Sequence, residues 1–247
     1  MAKRSSTWDS ALSHFRPLIT AQGEVGYAYN LLQETFFNLF ILVVNLERPI
    51  VQPSRQPEYY PYALALWHVF QNDKLQRQLA ITALEKLPTE LDIKGGIRRL
   101  LWAQKQADKL AEYRNLIIHT PMRFRYVLKN GKSLAEIPSI GGFSTKPINM
   151  KRLRAIKTVQ FWKTLRNDFL NLNDYVEFVT RQIAWREYER QTGRRIVGAQ
   201  RSWPHRPRLP SVRRIGSIES MAKNTPISAP RRSKRRRPSG ARPPGQS

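Results

Sequence analysis

The chain has no cysteine, and this absence removes several functional classes at once. Disulfide frameworks, thiolate zinc sites and cysteine nucleophiles all require the missing thiol. The four histidines are scattered and show no paired spacing with acidic residues that would indicate a metal site. We therefore expect no metal ion, and the composition is compatible with a reducing compartment.

Long hydrophobic runs are also missing. The most hydrophobic window, Phe36–Val44, is too short to cross a bilayer. The polar residues Asn30, Gln33 and Glu34 precede it. The start of the chain, Met1–Thr7, is charged and polar, with no apolar run typical of a secretory signal. These features predict a cytoplasmic protein without stable membrane insertion.

Acidic residues are scarce relative to basic ones. The chain carries 43 Lys and Arg against 18 Asp and Glu, which gives a net charge of +25. The excess is spread over the chain, although Glu219 is the only acid after residue 199. Such a charge attracts polyanions, so nucleic acid is the expected partner, with an anionic membrane surface as the alternative.

The apolar spacing divides the chain into three parts. Residues 1–22 form a polar lead-in that Pro17 interrupts, residues 23–193 form a helical domain, and residues 194–247 form a disordered basic tail. Asn72-Asp73 indicates a possible break in the second helix, and Asn130-Gly131 favours a hairpin turn. We predict an all-α bundle of four or five helices with a small hairpin insertion. The expected helices span residues 23–46, 62–87, 95–118 and 149–190.

The tail is rich in proline and arginine and has few apolar residues, so it cannot form a core of its own. Trp203 is its one large aromatic residue, with no evident core to join. A polybasic cluster is the candidate nucleic-acid-binding segment, and a solubilising tail or a contact with acidic lipid is the alternative. The cluster consists of Arg231, Arg232, Lys234, Arg235, Arg236 and Arg237.

The stretch Glu112–Pro121 is the best-equipped candidate site. No phosphate-binding loop, dinucleotide fingerprint, serine elbow or zinc-protease motif occurs in the chain, so no small-molecule cofactor is expected. On a helix, Asn115 and His119 lie one turn apart at the edge of the apolar stripe, and Arg114 lies within it. One interpretation is a buried network in which Asp73 pairs with Arg114, and the other is an active site.

The segment Arg114-Asn115-Leu116-Ile117-Ile118-His119 resembles the R-x(4–6)-H signature of HEPN domains, at the end of a helix in an all-α bundle. The stretches Gly26–Glu34 and Leu66–His68 are similar to uncharacterised bacterial proteins of this type. The resemblance covers roughly residues 23–185. Only the six-residue motif is specific.

The resemblance implies a metal-independent endoribonuclease, a hydrolase whose site is formed by two subunits. His119 is then a general acid or base, Arg114 binds the scissile phosphate, and Asn115 orients the 2′-hydroxyl or the histidine. It also implies RNA rather than DNA as partner, a homodimer, and by analogy a role in toxicity or defence. The alternative within the same family is a non-catalytic bundle that binds nucleic acid or a protein.

Overall fold

The computed structural model describes residues 5–46, 60–87, 93–119, 122–129, 132–140, 158–199 and 201–214. This part of the chain is predominantly helical, which confirms the predicted all-α class. The helices are α1 (Ser5–Asn45), α2 (Tyr60–Val69), α3 (Asp73–Glu85), α4 (Lys94–His119) and α5 (Val159–Thr192), and the strands are β1 (Met122–Lys129) and β2 (Lys132–Ile140). None of the described helices is both long and apolar enough to span a bilayer.

The two longest helices, α1 and α5, pack along each other and carry most of the core. Their buried residues recur every three or four positions, so each helix directs one apolar face at the other. The ring of Tyr29 in α1 meets the edge of Phe169 in α5, with the ring centroids 5.4 Å apart. The fully buried members include Val25, Leu32, Phe36 and Leu39 from α1 and Leu165, Leu172, Val176 and Val179 from α5.

The predicted lead-in at residues 1–22 is wrong as a separate element, because α1 begins at Ser5 and continues through Pro17. A proline inside a helix removes one backbone hydrogen bond and costs about 3 kcal/mol. Pro17 itself is exposed, whereas Leu18 and Ala21 just beyond it are buried in the core. Their burial offsets the local cost, so tertiary packing overrides the propensity of proline to end a helix.

The predicted break at Asn72-Asp73 separates α2 from α3. Asn72 is the N-cap of α3, and its side-chain oxygen accepts a hydrogen bond from the backbone N–H of Lys74 at 2.9 Å. Thr158 caps α5 in the same way through the N–H of Phe161. At the other end of α5, Gly193 has φ 67°, the left-handed conformation that favours glycine, and ends the helix two residues beyond the predicted boundary at residue 190.

The step Asn130-Gly131 indicated a hairpin, and β1 pairs with β2 as an antiparallel two-stranded sheet. The register runs from Met122 opposite Ile140 to Lys129 opposite Lys132. The turn residues Asn130-Gly131 lie outside the described residues. So does most of the predicted first part of the last helix, and the described α5 begins at Val159 rather than near residue 149.

Residues 201–214, which we call the strap, pack against the bundle. The strap lies in the groove between α4 and α5, with Leu209 buried and Trp203 and Val212 packed against the core. The predicted disordered tail from residue 194 is therefore wrong for this segment, and Trp203 does have a core to join. The remainder of the predicted tail, residues 215–247, lies outside the described residues.

Side chains of the bundle hold the strap by its backbone. Gln182 Nε2 donates to the carbonyl of Ser202 at 2.9 Å, and Arg99 Nε donates to the carbonyl of Pro204 at 3.3 Å. Further along, the buried carboxylate of Asp168 accepts the backbone N–H of Ser211 at 2.7 Å. The first two bonds satisfy the backbone of the extended residues 201–209, and Asp168 accepts at the start of the helical turn formed by residues 210–214.

The contact between the strap and Gly96 generates one prediction. A methyl group at Gly96 would come within 2.7 Å of the Trp203 ring, so Gly96→Ala should weaken strap docking. We expect this loss to outweigh the gain of about 1 kcal/mol that alanine brings to a helix. Limited proteolysis within the strap and a red shift of tryptophan fluorescence measure the effect.

Gly23→Ala is the matched control, since a methyl group at Gly23 meets nothing within 4 Å. This variant should gain about 0.5–1 kcal/mol of unfolding free energy and keep the strap protected. Equal stabilisation of the two variants would contradict the packing described for Trp203.

A second prediction concerns pH. Burial raises the pKa of Asp168 from its ordinary 3.8 to about 6, although the backbone N–H groups of Ser211 and Val212 act in the opposite direction. The folded state then binds this proton more tightly than the unfolded state. Asp168 therefore contributes stability that is fully present below pH 4 and is lost as the pH rises to about 6.

In Asp168→Asn this contribution no longer depends on pH. The unfolding free energy of the variant relative to the wild type should increase between pH 4 and pH 6, by at most about 3 kcal/mol. Urea titrations across this range provide the measurement, with the exposed Asp174→Asn on the same helix as control. If the wild-type and Asp168→Asn curves run parallel, the assignment is wrong.

Candidate functional site

The second half of α4 forms one wall of an open cleft with a volume of about 410 Å³. The opposite walls come from α1 and from the start of α3. Acidic and basic side chains are balanced in the lining, so this is a cleft of mixed charge rather than a basic one. The lining comprises Tyr29, Gln71, Asn72, Asp73, Lys74, Arg77, Asp108, Ala111, Glu112, Arg114 and Asn115.

A buried arginine organises the floor of the cleft. Arg77 is 1% exposed, and its Nη2 lies 2.6 Å from Asp108 Oδ1, which also accepts from Arg77 Nε at 3.2 Å. Arg77 Nη1 donates to the hydroxyl of Tyr29 at 3.3 Å. The Tyr29 hydroxyl in turn donates to Asp73 Oδ2 at 2.6 Å. One hydrogen-bonded chain therefore joins α1, α3 and α4.

The ionisation of Tyr29 suits its place in this chain. Burial is the main cause that raises the pKa of Tyr29 to about 12, and the hydrogen bond to Asp73 acts in the same direction, while Arg77 opposes both. The phenol therefore stays protonated at neutral pH and donates its hydrogen bond to Asp73. Its ring, at the same time, provides a flat surface for the next residue of the site.

Arg114 lies against that ring, with its guanidinium carbon 4.6 Å from the ring centroid of Tyr29. Its Nη1 donates to Asn115 Oδ1 at 2.9 Å. Its Nε is inaccessible to solvent and has no hydrogen-bond partner among the described residues. Arg114 is thus half-buried, fixed by a stacking contact, and lines an open cleft with part of its donor capacity unused.

The structure brings three of the predicted site residues to this cleft, namely Arg114, Asn115 and Asp73. Asn115 is exposed, and Asp73 is not the partner of Arg114, because its carboxylate bonds to the hydroxyl of Tyr29. His119 is the last residue of α4, one helical turn after Asn115, and its side chain lies outside what the structure describes. The polybasic segment 231–237 lies outside the described residues as well.

The sequence interpretation missed the role of Arg77. Asp73 and Arg77 are four residues apart, a spacing that allows them to pair on one face of α3, whereas Arg77 forms its ion pair with Asp108 of α4. The signal was present, since Arg77 falls within the buried face of α3 together with Ala80, Ile81 and Leu84. A charged residue on an apolar face requires a partner from another element, and the local pattern does not identify that partner.

The Tyr29 hydroxyl generates a prediction about the site. Tyr29→Phe keeps the ring beneath Arg114 but leaves Asp73 and Arg77 without one hydrogen bond each. We expect the unfolding free energy to fall by about 1–3 kcal/mol. Chemical denaturation measures the change. Tyr27→Phe is the control, because Tyr27 is 66% exposed on the same helix, and an equal loss in both variants would contradict the network.

The residues that the structure describes contain no group of three His, Asp or Glu side chains arranged to hold a metal ion. Comparisons with family models, curated proteins and solved structures found no match to this chain. The resemblance of Arg114–His119 to the HEPN motif therefore stays a prediction.

Proposed function

We propose that the protein is a metal-independent endoribonuclease of HEPN type, with Arg114, Asn115 and His119 as its active site. The observation that carries this proposal is the state of Arg114. Its guanidinium lines an open cleft and stacks on Tyr29, and the carboxylate of Asp73 bonds to the hydroxyl of Tyr29 instead of neutralising it. A cation held in this way is prepared to bind an anionic group that enters the cleft.

The chemistry follows from the three side chains. His119 accepts the proton of the ribose 2′-hydroxyl, and the 2′-oxygen attacks the adjacent phosphorus. The bond from phosphorus to the 5′-oxygen breaks, so the products are a 2′,3′-cyclic phosphate and a 5′-hydroxyl. Arg114 stabilises the additional negative charge on the pentacovalent phosphorus, and Asn115, already bonded to Arg114, orients the hydroxyl or the histidine.

The leaving 5′-oxygen needs a proton, and a single histidine per site has just accepted one. A homodimer with two-fold symmetry solves this requirement, because it brings a second copy of His119 to the same phosphate as the general acid. The exposed position of Asn115 at the end of α4 suits such an arrangement.

The test is cleavage of a labelled single-stranded RNA in the presence of EDTA. Wild type should cut, and both Arg114→Ala and His119→Ala should lower the rate at least about 100-fold, since general acid–base catalysis and charge stabilisation each contribute about that much. His68→Ala and Arg16→Ala are matched controls, because both residues are exposed and lie outside the cleft. Their rates should equal that of the wild type.

The second candidate is a non-catalytic bundle of the same type that binds nucleic acid or a partner protein. The balanced charge of the cleft favours it, because a cleft that holds a polyanion is normally lined by an excess of cations. Pure wild-type protein that shifts RNA in a gel but never cuts it would establish this candidate and remove the first.

A further inference from the structure

The strap displays its arginines on the outside while its backbone is bound to the bundle. The carbonyls of Arg201, Ser202 and Pro204 accept from Arg186, Gln182 and Arg99. The strap's own guanidinium groups are not needed for these bonds. The exposed arginines of the strap are Arg201, Arg206, Arg208, Arg213 and Arg214.

The strap therefore carries a dense positive charge at defined positions. It has five arginines and no acidic residue in residues 201–214. The guanidinium carbon of Arg206 lies 5.3 Å from the ring centroid of Trp102, and that of Arg214 lies 5.6 Å from the ring centroid of Phe161. These contacts hold both side chains against the bundle. Two acidic residues lie nearby. Glu189 Oε1 is 3.7 Å from Arg201 Nη2, and the carboxylate of Asp168 is buried beneath the strap.

The strap runs antiparallel to α5, from the end of that helix to its start. Its first residues bond to Arg186 and Gln182 near the end of α5, and its last residue stacks on Phe161 near the start of α5. Phe161 in turn meets Tyr113 of α4, with ring centroids 6.1 Å apart, and Tyr113 directly precedes Arg114. The strap thus ends on the same end of the bundle as the candidate active site.

Exposed cations also recur along α4. They are four and seven residues apart, which places them on one face of the helix, together with the exposed acid Glu112. These cations are Lys94, Arg98, Lys105 and Lys109.

We propose that the strap is a fixed cationic track that binds the phosphodiester backbone of a nucleic-acid strand and directs it toward the end of α4. Its extended portion, residues 201–209, spans at most roughly 30 Å, enough to contact several successive phosphates. A membrane surface fits less well. The large apolar side chains Trp203, Leu209 and Val212 pack against the bundle, so they are not available to enter a lipid layer.

This track is separate from the cleft, and its binding does not require cleavage. It rests on the proposed function only in the choice of RNA as the probe. Every protein in the test carries His119→Ala, so that the RNA stays intact whatever the catalytic competence of the wild type.

The experiment measures the affinity of the full chain for a labelled single-stranded RNA of about 20 nucleotides, by fluorescence anisotropy at several salt concentrations. The strap variant carries Arg208→Gln and Arg214→Gln, both at exposed positions. The control carries Lys86→Gln and Arg16→Gln, which remove the same charge from exposed positions at the C-terminal cap of α3 and on α1. Circular dichroism verifies that both remain folded.

Two lost phosphate contacts should lower the slope of log affinity against log salt by about 1.4 and weaken binding at 0.1 M salt by roughly tenfold or more. The control should bind close to the unsubstituted level. Equal losses in the two variants, or no binding of RNA by the full chain, would overturn the proposal.

Trp203→Ala tests whether the track must be fixed. The substitution keeps every charge. It removes the indole ring whose centroid lies 5.7 Å from the guanidinium carbon of Arg99 and 4.3 Å from that of Arg186. We expect weaker RNA binding, because the released strap must be ordered again on the RNA. RNA binding as tight as without the substitution would refute a fixed track and leave only a flexible tether.

A further arm uses vesicles of phosphatidylserine and phosphatidylcholine. If the strap variant loses vesicle binding but keeps RNA binding, the partner of the strap is a membrane and the proposal fails. Failure of the proposed function is visible separately, as absence of cleavage in EDTA by the unsubstituted chain.

Discussion

The guanidinium of Arg77 is the constraint on which the rest of the cleft depends. An arginine cannot lose its charge inside a protein, so burial at 1% exposure obliges α1 and α4 to supply its partners. Tyr29 and Asp108 fulfil that requirement, and each then has a second consequence for the site. Tyr29 holds Asp73 and supports Arg114, while Asp108 ties α3 to the helix that ends in His119. The position of the candidate catalytic arginine therefore derives from an arginine that takes no part in the proposed chemistry.

A net charge of +25 creates self-repulsion that the fold has to accommodate. The structure uses its arginines in three different ways. Arg77 forms a buried ion pair, Arg99 and Arg186 donate to strap carbonyls and stack on Trp203, and the arginines of the strap itself are exposed. The strap collects five exposed arginines, of which Arg201 lies 3.7 Å from the carboxylate of Glu189.

Helical spacing predicted the parts of the structure that depend on local pattern. It located α4 and the buried faces of α1 and α5, the break at Asn72, and the placement of Arg114 and Asn115 at the end of α4. The helix prediction failed at Pro17, because the burial of Leu18 and Ala21 offsets the cost of a proline inside α1. It failed for the Arg77–Asp108 pair and for the strap because the partners are distant in sequence, 31 residues away for Arg77 and 105 for the bond from Arg99 to Pro204. The composition of residues 194–247 is typical of disorder, and composition contains no information about donors that other helices supply.

The Gly95–Gly96 pair has a consequence for the order of assembly. These residues leave the first turn of α4 without side chains where the Trp203 ring lies, so this patch of the bundle is complete only when a residue more than a hundred positions later has been added. During synthesis the ribosome releases α1, α4 and α5 before the strap. A long-range contact of this kind forms late, because its chain entropy is recovered only after the bundle exists. The groove between α4 and α5 therefore cannot be covered until the strap has been synthesised, and the outward arginines are added to the chain after the helices that hold them.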